Sequence, residues 1–185
     1  SHASTVQGNT GSKVLPLYRA PHMRFECHIV YTNTPVAGAF RGYGCPQGFF
    51  AQECLVDEIA HELGMDPVEF RRKNIIRLGD IDHLSAQLGE GKKGLPRYIR
   101  SCGLPECLDR GAAAIEWEHK RKSLPNANGH LRRGVGVACS MQGSGIAGID
   151  WASAWLKMNE DGSFNLQVGA SDVGGGADTV LAQIA

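Results

Sequence analysis

The chain predicts an α+β fold, a mixed sheet with packed helices, and three observations carry that expectation. Apolar residues recur at helical spacing after Pro46, where Phe49, Val56, Ile59 and Leu63 fall on one face. Residues 23–32 (MRFECHIVYT) and the segments beyond Gly134 alternate or cluster apolar residues as strands do. Glycine-rich turns at 38–48 and 169–179 each stand where a strand gives way to a helix. With 185 residues, the chain is long enough to bury a real core in one or two domains.

In chain order, the first eleven residues are polar and carry no assigned element, and Asn33-Thr34-Pro35 ends the first strand. A helix then runs from Pro46, suited to a first turn, to Gly64, suited to a C-terminal stop, with Phe50 and Leu55 widening its apolar face. Asp66-Pro67-Val68-Glu69 reads as a cap, a first-turn proline and a capping-box acid, so a second helix should reach about Ile76. Residues 79–96 lack periodicity and read as a surface loop. A third helix is expected from Leu104 to about Lys122, with Cys107, Leu108, Ala112, Ile115 and Trp117 inward and basic residues at its negative end.

Strands follow at 134–140 and 150–158, separated by a Gly-Ser-Gly turn. Asn159-Glu160-Asp161-Gly162 marks a hairpin into a strand at 164–168. A last helix should start near Ala177, and its pattern stops in mid-course at Ala185, so the chain is expected to be part of a longer one. The division expected is a strand, glycine loop and helices over about 1–130 and a hairpin with the second glycine loop over about 131–185.

Composition excludes several functions. The 19 basic residues balance 19 acidic ones, and no basic run exceeds a short helical patch, so no nucleic-acid or membrane-surface field is expected. No apolar run approaches the roughly 18 residues of a transmembrane helix, and no secretion signal opens the chain, which gives a cytoplasmic expectation. The six cysteines form no C-x-x-C pair and the seven histidines no helical pair, so neither zinc nor an iron–sulfur cluster is expected on this chain. Reduced and mostly buried thiols are the expectation, Cys45 among them. Cys139, Ser140 and the distant His130 make no nucleophile–base set.

The two glycine segments remain. In Gly38-Ala39-Phe40-Arg41-Gly42-Tyr43-Gly44-Cys45-Pro46-Gln47-Gly48, the glycines permit positive φ and close approach, and the following helix offers unpaired N–H groups to an anionic or oxo ligand. A plain turn with Arg41 paired to a carboxylate fits the same residues. The second segment, Gly169-Ala170-Ser171-Asp172-Val173-Gly174-Gly175-Gly176-Ala177-Asp178-Thr179, reads by itself as a phosphate-type loop or a structural one.

The first segment closely resembles the A-F-R-G-F-G-x-P-Q-G signature of molybdenum hydroxylase large subunits, the xanthine dehydrogenase, aldehyde oxidase and 4-hydroxybenzoyl-CoA reductase type. The second resembles that family's D-x-G-Q-G-x-x-T loop, with Gly175 where glutamine is common. Residues 66–74 (DPVEFRRKN) are similar to its D-P-x-E-F-R-x-x-N helix, expected to brace the fold. The likeness runs from Tyr18 to the end, and 134–145 resembles a pocket-wall strand and loop.

What the resemblance implies follows residue by residue. Phe40, Arg41, Gly42, Gly174, Gly175 and Gly176 would bind the cofactor, with the Arg41 backbone approaching molybdenum. Tyr43, Cys139 and Ser140 would line the substrate pocket, Tyr43 as an aromatic face for flat rings. The cofactor would be a molybdenum-pterin, as molybdopterin or its cytosine dinucleotide form, with 2Fe-2S and FAD on other domains or subunits of an oligomer. The activity would be hydroxylation, or reductive dehydroxylation, of a heteroaromatic, aldehyde or aryl-CoA substrate, and Asp178-Thr179 points toward the reductive group. No glutamate matches the family's catalytic one, so no catalytic residue is expected here and the isolated chain should be inactive. Gly42 stands where molybdenum–copper carbon monoxide dehydrogenases carry a cysteine, which disfavours that reaction. The rival expectation is a non-catalytic domain of the same fold that acts in assembly, supported by Gly175.

Overall fold

A computed structural model describes residues 3–35, 38–82, 97–123, 130–142 and 151–185. The chain separates into two compact units, Ser1–Gly143 and Ser144–Ala185. Helices dominate the first unit, and the strands of both units pair antiparallel, so the fold is α+β.

The first unit opens with a helix that its sequence does not announce, α1 (Ala3–Val14). Glycine, serine, threonine and asparagine fill it, all weak helix formers, so packing rather than propensity holds it. A 3₁₀ turn, Leu15–Leu17, leads to Tyr18, which bridges Ile75 antiparallel. Leu17, just before the bridge, and Ile75, within it, are fully buried, each contributing about 1.5–3 kcal/mol of apolar burial.

Residues 23–32 are not a strand. Met23 and Phe25 turn partly inward between exposed neighbours, as the alternation requires, yet no strand among the described residues supplies a hydrogen-bonded ladder.

Helix α2 (Cys45–Glu62) and α3 (Pro67–Asn74) follow the expected bounds closely. Asp66 caps α3, its Oδ1 accepting from Val68 N at 2.8 Å and Glu69 N at 3.2 Å. The buried face of α2 differs from the expected one. Its seam is Cys45, Phe49, Glu53, Val56 and Ala60, whereas Phe50, Leu55, Ile59 and Leu63 are exposed. A charged residue occupies the middle of the seam because Arg71 of α3 meets it there.

Beyond α3, two short strands, β1 (Ile81–Asp82) and β2 (Arg97–Tyr98), pair at the ends of the expected loop, of which 83–96 lie outside the described residues. The expected third helix is two: α4 (Leu104–Ala114) and α5 (Trp117–Ser123). The break falls at Glu116, whose φ of 57° is left-handed. It swings Trp117 into the core, where the indole Nε1 donates to Asp66 Oδ2 at 2.9 Å. Arg121 lies 5.2 Å above the same ring.

Residues 134–140 are not a strand either, for the same want of a neighbouring strand, although burial alternates along them. The Gly-Ser-Gly turn lies outside the described residues. Nor are the thiols mostly buried: all six are free, Cys45 and Cys139 buried, Cys102 intermediate, and Cys27, Cys54 and Cys107 exposed.

The second unit holds the expected hairpin, its first strand starting at Ala154 and not at 150: β3 (Ala154–Met158) pairs with β4 (Phe164–Val168), with Leu156 opposite Leu166 and Met158 opposite Phe164. Gly162, at φ 81°, closes its turn. Helix α6 (Ala177–Ile184) starts as expected after Gly176.

Candidate cofactor site

The first glycine loop is a tight turn laid against α1. Tyr43 N–H donates to Phe40 O at 2.7 Å and Cys45 N–H to Gly42 O at 2.9 Å, which projects Phe40 and Arg41 outward. Phe40 is 82% exposed, and Tyr31, Phe50 and Trp151 are likewise exposed elsewhere in the chain. Gly42 and Gly44 sit at φ 83° and 92°, and even Tyr43 is left-handed at 41°.

Helix α1 explains much of this motif. A β-carbon on Gly44 would collide with the Val6 carbonyl, and one on Gly48 would lie 2.6 Å from Val14 Cγ2 and 2.7 Å from Thr10 Cγ2. Those two glycines admit α1 rather than a ligand. Thr10 Oγ1 donates to Gly44 O at 2.7 Å, Asn9 Nδ2 donates to Tyr43 O at 2.6 Å, and Tyr43 Oη lies 2.6 Å from Thr5 Oγ1. The polar first helix therefore fixes the loop, and with it the tilt of the Tyr43 ring. Arg41 pairs with no carboxylate by any ion pair among the described residues, contrary to the plain-turn reading.

The second glycine loop, in the other unit, gathers its backbone N–H groups around one oxygen. Gly174 N donates to Asp172 Oδ1 at 2.7 Å and Gly176 N to the same atom at 3.2 Å. The Gly174 amide and then the Gly176 amide hold the Asp172 carboxyl below its ordinary pKa. Space is open around Gly174, Gly175 and Gly176, since a β-carbon on any of them would meet nothing within 4 Å. Glycine at 175 thus leaves the loop uncovered, with no side chain to reach a ligand. The converging N–H groups beside the helix start are thus occupied by an internal anion, the Asp172 carboxylate.

Cys139 and Ser140 line a cleft of about 320 Å³ with Leu104, Leu108, Ala112 and Trp117. Of Cys139 and Ser140, only Ser140 is exposed. The Cys139 side chain is part of the hydrophobic core, and burial, reinforced by the Glu53 charge, pushes its thiol up to about 11. It stays a neutral thiol, packed in the core behind Ser140.

Sequence reasoning missed the cluster behind this wall. Glu53 Oε1 accepts from Tyr18 Oη at 2.6 Å, and Oε2 accepts from Arg71 Nε at 2.9 Å and from Cys139 N at 2.8 Å. Arg71 Nη1 donates to Asp57 Oδ1 at 2.6 Å and to Pro67 O at 3.2 Å. Burial drives the Tyr18 phenol far above its ordinary pKa, with the Glu53 hydrogen bond adding to the shift. A signal did exist: Glu53 stands four residues after Phe49, on the seam of α2.

Among the described residues, no group of His, Cys, Asp and Glu is placed to hold a metal ion. No described helix is long and apolar enough to cross a membrane.

Two glycine loops, each at a helix start, stand one in each unit, the first holding an aromatic outward and the second converging amides on Asp172. The sequence patterns of molybdopterin cofactor-binding domains match residues 1–75 and 110–185, so the likeness begins at the first helix and not at Tyr18. The chain is 45% identical over its whole length to the xanthine dehydrogenase molybdenum-binding subunit of Escherichia coli O157:H7, of which it spans 23%. It is 36% identical to the aldehyde oxidoreductase of Megalodesulfovibrio gigas, with 87% of the chain matching 16% of that protein. The solved structure of the aldehyde oxidoreductase from Desulfovibrio gigas superimposes on 69% of the chain, 13% of its own, at a TM-score of 0.52 and 36% identity. The chain belongs to the molybdopterin cofactor-binding domains of the xanthine dehydrogenase and aldehyde oxidoreductase family.

Proposed function

We propose that this chain forms part of a molybdenum-dependent oxidoreductase that hydroxylates a heteroaromatic or aldehyde substrate. The observation that carries this reading is the pair of glycine loops, both inside a match to a molybdenum-binding subunit that extends over the whole chain. The molybdenum-pterin, as molybdopterin or its cytosine dinucleotide, supplies the redox chemistry when bound. Residues 1–185 act as one partial cofactor domain; the expected division near 130/131 falls instead after Gly143, because Cys139 packs in the core of the first unit.

The chain's own share is positioning. Arg41 and Gly42 offer backbone at the apex of the first turn, and Phe40 closes that side of the cofactor. Tyr43, held at its hydroxyl by Thr5 and at its carbonyl by Asn9, presents a fixed aromatic face to a flat ring. Gly174, Gly175 and Gly176 receive the anionic part of the pterin, which competes with Asp172 for the same amides. Ser140 faces the substrate space. The proton-transferring base belongs to another part of the protein, as do 2Fe-2S and FAD domains or subunits that carry electrons away in a cytoplasmic oligomer.

Steady-state assay of the full-length protein tests this reading, with purines, N-heterocycles, aldehydes and aryl-CoA thioesters and an artificial electron acceptor or donor. Oxidation of a heterocycle or aldehyde is expected. Turnover confined to reductive dehydroxylation of an aryl-CoA thioester would overturn the direction proposed.

A further inference from the structure

Along 134–142, Val135 and Val137 turn partly inward and Cys139 is buried, while Ala138 and Ser140 face outward. No strand among the described residues runs beside this segment to set its register. Register in an extended chain matters, because a slip of one residue exchanges the two faces. Here it would expose Cys139 and drive Ser140 into the core.

The bond that fixes it comes from a side chain. Cys139 N–H donates to Glu53 Oε2 at 2.8 Å. That carboxylate is itself held, by Tyr18 at one oxygen and by Arg71 at the other, and Arg71 is anchored on α3 through Pro67 O and on α2 through Glu53 O at 3.3 Å. An acceptor so constrained selects one amide, as a preorganised supporting group does.

We propose that Glu53 is a positioning residue for the wall segment 134–142, its carboxylate fixing the register that turns Ser140 outward beside the substrate. The substrate half of this statement rests on the function proposed above; the register half does not.

Residue-resolved hydrogen exchange on the full-length protein, paired with kinetics, separates the two. In the unmodified protein, the Cys139 amide should be protected while those of Ala138 and Ser140 exchange freely. In Glu53→Gln, whose single side-chain oxygen cannot serve all three donors, protection at Cys139 should fall about tenfold. Tyr18→Phe removes only the bond at Oε1 and leaves Arg71 holding Oε2, the oxygen that accepts from Cys139, so it should keep that protection. With turnover, Glu53→Gln should raise KM at nearly unchanged kcat and Tyr18→Phe should change neither. Exchange of Cys139 as fast as its neighbours in the unmodified protein, or equal losses in both variants, would overturn the register. The exchange pattern without any turnover in the unmodified enzyme would retire the substrate half and uphold the register.

Discussion

Glu53 and Arg71 form an ion pair across the joint between α2 and α3, Oε2 to Nε 2.9 Å, with the arginine side chain wholly closed to solvent and the glutamate nearly so. Asp57, half exposed on the next turn of α2, adds a second acceptor at 2.6 Å. Burial works against the Arg71 charge, but the Asp57 hydrogen bond and the Glu53 charge outweigh it and raise its pKa.

Removing one partner leaves the other buried and unpaired. Arg71→Met is expected to cost about 3–5 kcal/mol in urea unfolding, more than a surface ion pair can contribute. Arg72→Met, which removes exposed pairs with Glu69 and Asp109, should cost less than about 1 kcal/mol in the same measurement.

Gly48 allows the approach of α1 to α2. Gly48→Ala places a methyl against Val14 and Thr10, and overpacking of this kind costs about 1–3 kcal/mol. Thermal denaturation should register the loss, and near-ultraviolet circular dichroism should report a changed Tyr43 environment.

Trp117 ties α5 to the cap of α3. Trp117→Phe keeps most of the ring but removes the donor to Asp66, for an expected loss of about 1 kcal/mol by denaturant titration.

Asp172 orders the second glycine loop only while ionised. Because the folded loop holds this carboxyl below its ordinary value of 3.8, the ordering is complete above that pH and fades as acid protonates the group below it. Amide exchange at Gly174 and Gly176 should therefore accelerate in acid beyond its intrinsic trend, and Asp172→Ala should remove the pH dependence. An unaltered pH profile in that variant would contradict the assignment.

Elements whose signals are local were legible in the sequence. The cap at Asp66, the prolines opening α2 and α3, the hairpin at Asn159 to Gly162 and the start of α6 all depend on neighbours within a few residues. Elements whose cause lies far away were not. Helix α1 forms from poor helix formers because the 44–48 backbone accepts it, and Glu53 enters a seam because Arg71 is 18 residues downstream. Residues 23–32 and 134–140 show the converse, since alternation alone makes no strand without a partner. The two glycine loops stood out because so long a motif is specific, yet half of its glycines serve α1.

Molybdenum and pterin content decides whether these two loops hold the cofactor. The full-length protein, purified from a host that makes the cofactor, is predicted to carry both in near-stoichiometric amounts and to lose them together when Gly174 and Gly176 are replaced. Correctly folded protein holding neither would rule out a cofactor site and make these loops structural elements of a non-catalytic domain.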